Sequence, residues 1–275
     1  MDDYAGSTAL ITGASKGLGE AYARELAARG ADLVLVARSA DALERVARQI
    51  RTERGVRVDV IAADLADRSC VDALLREIDK DGRPVDLLIN NAGIGAVGPF
   101  LDEPLGPNLG SIDLNVTALV ALVHAIGGRM RARGRGGIIN VASLAAFQPM
   151  PFQATYAASK AFLLSFTEAL AEELRGTGVR VMAAHPGPVD TGFFDATTAE
   201  IDPQADSAES VAARTLDDFT RGRTNSYPGK ASRRLSTLAP RVLPRAAVAR
   251  LAGDFNRRAG LAGARNKAAG RTEGR

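Results

Sequence analysis

Apolar runs of strand length alternate with helical patterns from Thr8 to His185, and that alternation leaves few folds open. "TALIT", "ADLVLVA", "VDVIAA", "VDLLIN", "GIINVA" and "VRVMAAH" follow one another at regular intervals. The second run is apolar almost throughout, as suits a strand buried on both faces. Between two of the runs, Val71, Leu74, Leu75 and Ile78 recur at helical spacing behind a capping Asp67. Longer helices are expected around 107–132 and 154–175. Strand–helix–strand repetition predicts βαβ units and an α/β fold with a parallel sheet. At 275 residues and 46% hydrophobic, the chain has apolar content for one sizeable core.

The first loop suggests what the sheet is for. "TGASKGLG" (Thr12 to Gly19) joins the first strand to the first helix. Glycines there let the backbone turn tightly and approach a pyrophosphate, while the helix start supplies amide donors. The expectation is a Rossmann-type doubly wound sheet, with Gly13, Ser15, Lys16, Gly17, Leu18 and Gly19 as candidate cofactor contacts. The spacing G-x-x-x-G-x-G departs from the common G-x-G-x-x-G form. "GASKG" also fits the G-x-S-x-G elbow of a hydrolase nucleophile, but that reading leaves Gly19 without a purpose and needs a histidine. His124 sits in an apolar helical run, where a packed histidine is expected, and His185 precedes "PGP" at a strand end. Two histidines and the lone Cys70, widely separated, give no reason to expect a metal site.

The end of the second strand selects the cofactor. An NAD site places an acid about 20 residues after the glycines. Here the stretch reads Val36, Ala37, Arg38, Ser39, with Asp41 already inside the next helix. Arg38 and Lys16 suit a 2′-phosphate through charge-assisted hydrogen bonds, so NADP(H) is expected.

"YAASK" places Tyr156 and Lys160 four residues apart, on one face of a helix, with only small residues between them. A free tyrosine, with a pKa of about 10, exchanges protons poorly at neutral pH. A neighbouring ammonium favours the phenolate, so the pair reads as an acid–base device with a lowered tyrosine pKa.

"TGASKGLG", "ADL" at Asp64, "NNAG" at Asn90 to Gly93, Asn115, Ser143, "YAASK" and "HPGPVDT" occur in that order. Together they resemble the short-chain dehydrogenase/reductase family over roughly residues 7 to 230. The strand-end arginine and the extended C-terminus look more like its NADP-dependent members that reduce acyl groups or steroids. The resemblance implies Tyr156 as acid/base and Lys160 as a second partner of the nicotinamide ribose. It implies that Ser143 orients the carbonyl or hydroxyl and that Asn115 holds a water relaying protons to Lys160. It implies Asp64 at the adenine ring, Asn91, Ala92 and Gly93 along the adenine-ribose side, and Pro186, Gly187, Val189 and Thr191 at the nicotinamide carboxamide. Phe147, Met150, Phe152, Phe193 and Phe194 are candidate lining for an apolar substrate, and Thr191 to about Ala208 a candidate lid. The expected activity is hydride transfer between NADP(H) and a carbonyl or secondary alcohol, of an apolar ketone or 3-oxoacyl kind. The alternative is a catalytically silent NADP(H)-binding scaffold or regulator.

The chain divides into a catalytic domain, residues 1–230, and a basic helical extension, residues 231–275. Residues 221–275 hold 14 Lys and Arg against Asp254 and Glu273, a net +12, which leaves −9 on residues 1–220. Leu235, Leu238, Val242, Leu243, Val248, Leu251 and Phe255 are expected to be buried against the enzyme body or an oligomer partner, with Pro240 and Pro244 breaking the helices. The run "LNVTALVALVHAI" reads as too short and too polar to span a bilayer. No signal segment is evident, so the "NVT" at Asn115 carries no glycosylation meaning. A cytoplasmic homodimer or homotetramer acting on a small molecule is expected, without nucleic acid and without membrane contact.

Overall fold

Each of the six apolar runs forms a strand: β1 (Thr8–Thr12), β2 (Asp32–Ala37), β3 (Val58–Ala62), β4 (Leu87–Asn90), β5 (Gly136–Val141) and β6 (Val179–Ala184). The computed structural model describes residues 4–193, 195, 197–198 and 204–266. The helices between the strands are α1 (Gly17–Ala28), α2 (Ala40–Arg54), α3 (Arg68–Asp81), α4 (Leu105–Ile112), α5 (Leu119–Arg133) and α6 (Ala154–Glu173). Local chemistry marks their ends. Ser39 caps α2 and Asp67 caps α3 by accepting from main-chain N–H groups, while Gly55 and Gly82 close both helices in the left-handed conformation.

Beyond β6 lie β7 (Val189–Asp190) and β8 (Asp206–Ser207), which pair with each other, then α7 (Ala208–Thr220) and β9 (Asn225–Ser226). The main sheet is parallel, in the order β3-β2-β1-β4-β5-β6-β9. The β7–β8 pair and β9 carry no apolar pattern, and their two-residue strands were not expected. β9 is held by side chains: Ser226 Oγ donates to Asp218 Oδ2 at 2.8 Å, and Arg223 pairs with the same carboxylate. Leu26, Leu43, Ile50 and Phe219, from α1, α2 and α7, fill one face of the sheet. Leu74, Leu122, Ile126 and Leu163, from α3, α5 and α6, fill the other. A buried polar ladder crosses that second layer. Asn90 donates to Asn140 at 2.9 Å, Asn140 to Thr167 at 3.0 Å, and Thr167 to the Leu163 carbonyl, fixing α6 against β4 and β5.

The long helix expected around 107–132 forms, but its reading as too short and too polar for a membrane, and the packing of His124, both change. α4, a π-helical turn at Asp113–Ala118 and α5 run on as one helix of 29 residues, Leu105–Arg133, long and apolar enough by length and composition to cross a membrane. On this helix Asn115, Leu122, Ile126 and Met130 are buried within the fold, whereas Leu105, Leu109 and Ile112 are exposed. His124 is exposed on this helix rather than packed, because the buried stripe at Leu119, Leu122, Val123 and Ile126 passes beside it.

The basic extension forms α8 (Ala231–Leu235), α9 (Ala239–Val242) and α10 (Arg245–Arg258). Pro244 stands at the N-cap of α10, whereas Pro240 lies inside α9, near a helix start that tolerates it. Its apolar side chains do not find the expected burial. Val248 is buried, but Leu235, Leu238, Val242, Leu243, Leu251 and Phe255 are exposed, because α10 meets the body through its smaller residues Ala252, Gly253 and Asn256.

Candidate active site

Parallel strands bring their carboxyl ends to one edge, and the loops leaving that edge carry the candidate residues. Between β1 and α1, Gly13 and Gly17 adopt positive φ, at 69° and 58°. A Cβ on Gly19 would stand 2.1 Å from the Gly13 carbonyl oxygen, so only glycine lets helix and loop approach this closely. Lys16, at the N-cap of α1, offers no side-chain acceptor to the first turn, in contrast to the capped α2 and α3. The amides at the start of α1 therefore suit an anion.

The "NNAG" segment clamps this loop. Thr12 Oγ1 accepts from the N–H groups of Asn91 and Ala92, both at 3.0 Å, and Asn91 Nδ2 donates to the Thr12 carbonyl at 3.0 Å. Gly93 faces the second half of the site. A Cβ there would lie 3.1 Å from Asn115 Oδ1 and 3.6 Å from Lys160 Nζ.

Ser143 lies two residues past β5, at the N-cap of a short 3₁₀ turn, with Oγ accepting from Ala145 N. It also lies close enough to the Tyr156 phenol, in the first turns of α6, to favour the phenolate. Lys160, one turn on and 4% exposed, donates to the Val141 carbonyl at 2.8 Å and stands 5.8 Å from the Tyr156 ring centre. Burial pushes the Lys160 ammonium down to about 8. Burial also pushes the Tyr156 phenol above its usual value, and the nearby Ser143 hydroxyl opposes this. The expected lowering of Tyr156 by Lys160 is thus overturned, because removal from water outweighs the pull of an ammonium turned toward Val141.

Asn115 is buried in the π-helical turn, a distortion frequent at functional sites. Its Oδ1 accepts from Ile94 N, and its Nδ2 donates to Ile94 O, Ser111 Oγ and Ser159 Oγ at 3.0–3.1 Å. That side chain is committed to protein partners and ties α4, α6 and the loop after β4 together.

Other expected residues are placed as follows. Arg38 is exposed at the end of β2, with no acid at the strand end. Lys16 reaches across to the segment after β7, donating to Gly192 O at 3.1 Å and pairing with Asp195 at 2.7 Å. Asp64 is exposed after β3 and accepts from Ala66 N, while Asp67 caps α3. Pro186 O accepts from Leu144 N, and Gly187 and Val189 follow. Thr191 lies against Gly17, where a Cβ would stand 2.7 Å from its own. Phe193 lies tilted against Tyr156, 5.6 Å between ring centres, and Phe194 is outside the described residues. His185 is not set up as a hydrolytic base. Its Nε2 meets Asn225 Oδ1 at 2.8 Å, and its ring lies against Phe147 and Tyr227. A charged cleft of about 630 Å³ lined by Arg51, Asp59 and Arg83 includes Thr8 at the start of β1, so it lies at the opposite end of the strands.

Sequence reasoning missed two contributors, and for Phe152, expected as substrate lining, it missed the backbone conformation. Phe152, just before α6, is a non-glycine residue in the left-handed region, at φ 68°. Asp195 engages Lys16. Asn266 bonds both main-chain groups of Val97 and the Glu103 carboxylate. Each joins segments far apart in sequence, so no local pattern announces it.

A buried ammonium with one protein acceptor, beside a glycine cradle at a helix start, fits a dinucleotide with a hydroxylated ribose and a pyrophosphate. The family model described as short chain dehydrogenase matches residues 7–202. The chain belongs to the short-chain dehydrogenase family. Among its curated relatives in that family, it is 36% identical to a short chain dehydrogenase of Pseudocercospora fijiensis over 68% of this chain and 60% of that one. It is 37% identical to the ketoacyl reductase HetN of a Nostoc species, over 69% of this chain and 66% of the relative. The chain thus spans about three-fifths to two-thirds of the length of these two. Among solved structures, a short-chain dehydrogenase from Sphingobium yanoikuyae in complex with NADPH shares 35% identity, with a TM-score of 0.77 over 84% of this chain and 92% of that one. A family member from Burkholderia phymatum in complex with NAD shares 27%, with a TM-score of 0.78 over 88% and 96%.

Keeping Lys160 charged and dry is costly for the fold. At neutral pH it stays charged, but removal from water makes that charge about 3 kcal/mol costlier than in the unfolded chain, taking 1.36 kcal/mol per pKa unit from 10.5 to about 8. Lys160→Met should therefore raise the melting temperature by about 2 °C or more while removing cofactor affinity and turnover. A lowered melting temperature in thermal denaturation, or retained turnover, contradicts this account of the residue.

Proposed function

We propose that this chain is an NADP(H)-dependent oxidoreductase that reduces the carbonyl of an apolar ketone or 3-oxoacyl substrate. The observation that carries the reading is the Tyr156 phenol beside Ser143 and one helical turn before the buried Lys160 ammonium, which stands 5.8 Å from its ring centre. When bound, the reduced nicotinamide supplies hydride to the carbonyl carbon. Tyr156 then gives its proton to the carbonyl oxygen, and Ser143 orients that same oxygen. The raised phenol pKa suits this direction, since Tyr156 stays protonated at neutral pH and acts as an acid. Lys160 would hold the nicotinamide ribose, and Asn115 acts by shaping the floor beneath both.

In this reading the Gly13–Gly19 loop, with Ser15 and Leu18, and the α1 amides hold the pyrophosphate. Asp64 meets the adenine ring, and Asn91, Ala92 and Gly93 border its ribose. Pro186, Gly187, Val189 and Thr191 meet the carboxamide. Arg38, exposed where an NAD site would carry an acid, is the leading partner for a 2′-phosphate, because Lys16 must first release Asp195. Phe147, Phe152 and Phe193 favour an apolar substrate. Exposed Leu105, Leu109 and Ile112 on α4, with Phe162 on α6, support assembly as a homodimer or homotetramer.

The test is NADPH oxidation with a panel of ketones and 3-oxoacyl thioesters. Tyr156→Phe should bind NADPH normally and lose at least about 10²-fold in turnover, the low end for a positioned acid. Unchanged turnover sinks the assignment, and no turnover by the wild type favours a silent dinucleotide-binding scaffold.

Cofactor preference is a separate measurement. One charge-assisted bond is worth about 1.5–3 kcal/mol, so Arg38→Ala should weaken NADPH roughly 10- to 100-fold and leave NADH nearly unchanged. A wild-type protein that binds NADH as tightly as NADPH contradicts the preference.

A further inference from the structure

Helix α10 is fixed by one edge and bare on another. Val248, Ala252, Gly253 and Asn256 are buried. Asn256 Nδ2 donates to the Pro151 carbonyl at 2.8 Å, and a Cβ on Gly253 would stand 3.3 Å from Pro151 Cγ. Downstream, Asn266 bonds both main-chain groups of Val97. These contacts stop α10 from rolling to hide its other side. That side carries Leu251 and Phe255, one turn apart and 60% and 70% exposed. Arg245, Arg250 and Arg258 are exposed on the same helix, and Leu238, Val242 and Leu243 are exposed just before it.

We propose that α10 and the short helices before it dock on an anionic lipid surface. Leu251 and Phe255 enter the boundary between headgroups and acyl chains, and the arginines meet the headgroup phosphates. Charge decides the occupant. A second copy set symmetrically against this helix would bring Arg245, Arg250 and Arg258 toward the same arginines of its partner. A bilayer containing acidic lipids offers apolar depth and negative charge together, which is what this face lacks and can use. The docked helix also supports Pro151 and the strained Phe152 on its inner edge, so the surface lies beside the candidate substrate loop.

The full-length protein is tested by co-sedimentation with vesicles of phosphatidylcholine alone, or of equal parts phosphatidylcholine and phosphatidylglycerol. Binding to the acidic vesicles is expected at low salt, with little to the neutral ones, and a steep decline toward 1 M salt, where screening acts within about 3 Å. L251S/F255S should lower partitioning at least about tenfold, since two large apolar side chains lose their burial. R245Q/R250Q should lower it on the order of fivefold per arginine on acidic vesicles alone. All four positions are exposed, so melting curves should match the wild type. Absence of wild-type binding, equal binding to neutral vesicles, or full binding by L251S/F255S overturns the proposal. So does a change of oligomeric state in L251S/F255S by light scattering with lipid binding intact, which would assign the face to a second copy. The experiment reads binding and not turnover, so its outcome is independent of the reductase reading.

Discussion

The bond from the Lys160 ammonium to the Val141 carbonyl holds the candidate site together. Val141 ends β5, two residues before Ser143, and Lys160 lies one turn after Tyr156 on α6. Joining them presses the start of α6 against the end of β5, which is where the Ser143 and Tyr156 hydroxyls lie close together. The contact buries an ammonium, and the fold must supply the compensation. It does so nearby, through the Asn90–Asn140–Thr167 ladder that locks the same helix to the same strand. Asn115 completes the anchoring by tying Ser159, the neighbour of Lys160, to the loop after β4.

The same burial governs the chemistry. A phenol beside a solvated ammonium would be drawn toward its anion and would act as a base. Here the ammonium is turned to a carbonyl and both groups are largely removed from water, so the neutral phenol is favoured. A neutral phenol can give up a proton, which is what the proposed carbonyl reduction asks of Tyr156. Only the sequence spacing was visible beforehand, and spacing alone cannot say which effect on the pKa is larger.

The core of the fold was legible because β1, β2, β4, β5 and β6 are largely buried in a sheet covered on both faces, which forces continuous apolar runs. The caps Ser39 and Asp67 and the glycine loop were legible for the same reason, since local geometry demands particular residues. β9 was not legible. Its two residues, Asn225 and Ser226, are held by Asp218 and by the main chain of His185, and not by apolar pattern. The π-helical turn at Asn115 was hidden inside a helix of ordinary composition. Lys16 is expected beside a 2′-phosphate, and its pairing with Asp195, 179 residues on, leaves no trace in the local sequence. His124 was misjudged because apolar neighbours do not reveal which face of a helix a residue occupies. In the basic extension, the leucines and Phe255 were expected inside, and the small residues Ala252 and Gly253 took the contact instead.

The most direct measurement is the pH profile of carbonyl reduction with NADPH, recorded from about pH 6 to pH 10 on the best ketone of the panel. With Tyr156 protonated throughout the neutral range and Lys160 losing its charge at about 8, the rate should hold level below that pH and fall above it. A rate that climbs through pH 8 would mean that a phenolate or a neutral lysine is the active form, and would contradict the account of the site as a buried acid held by a buried cation.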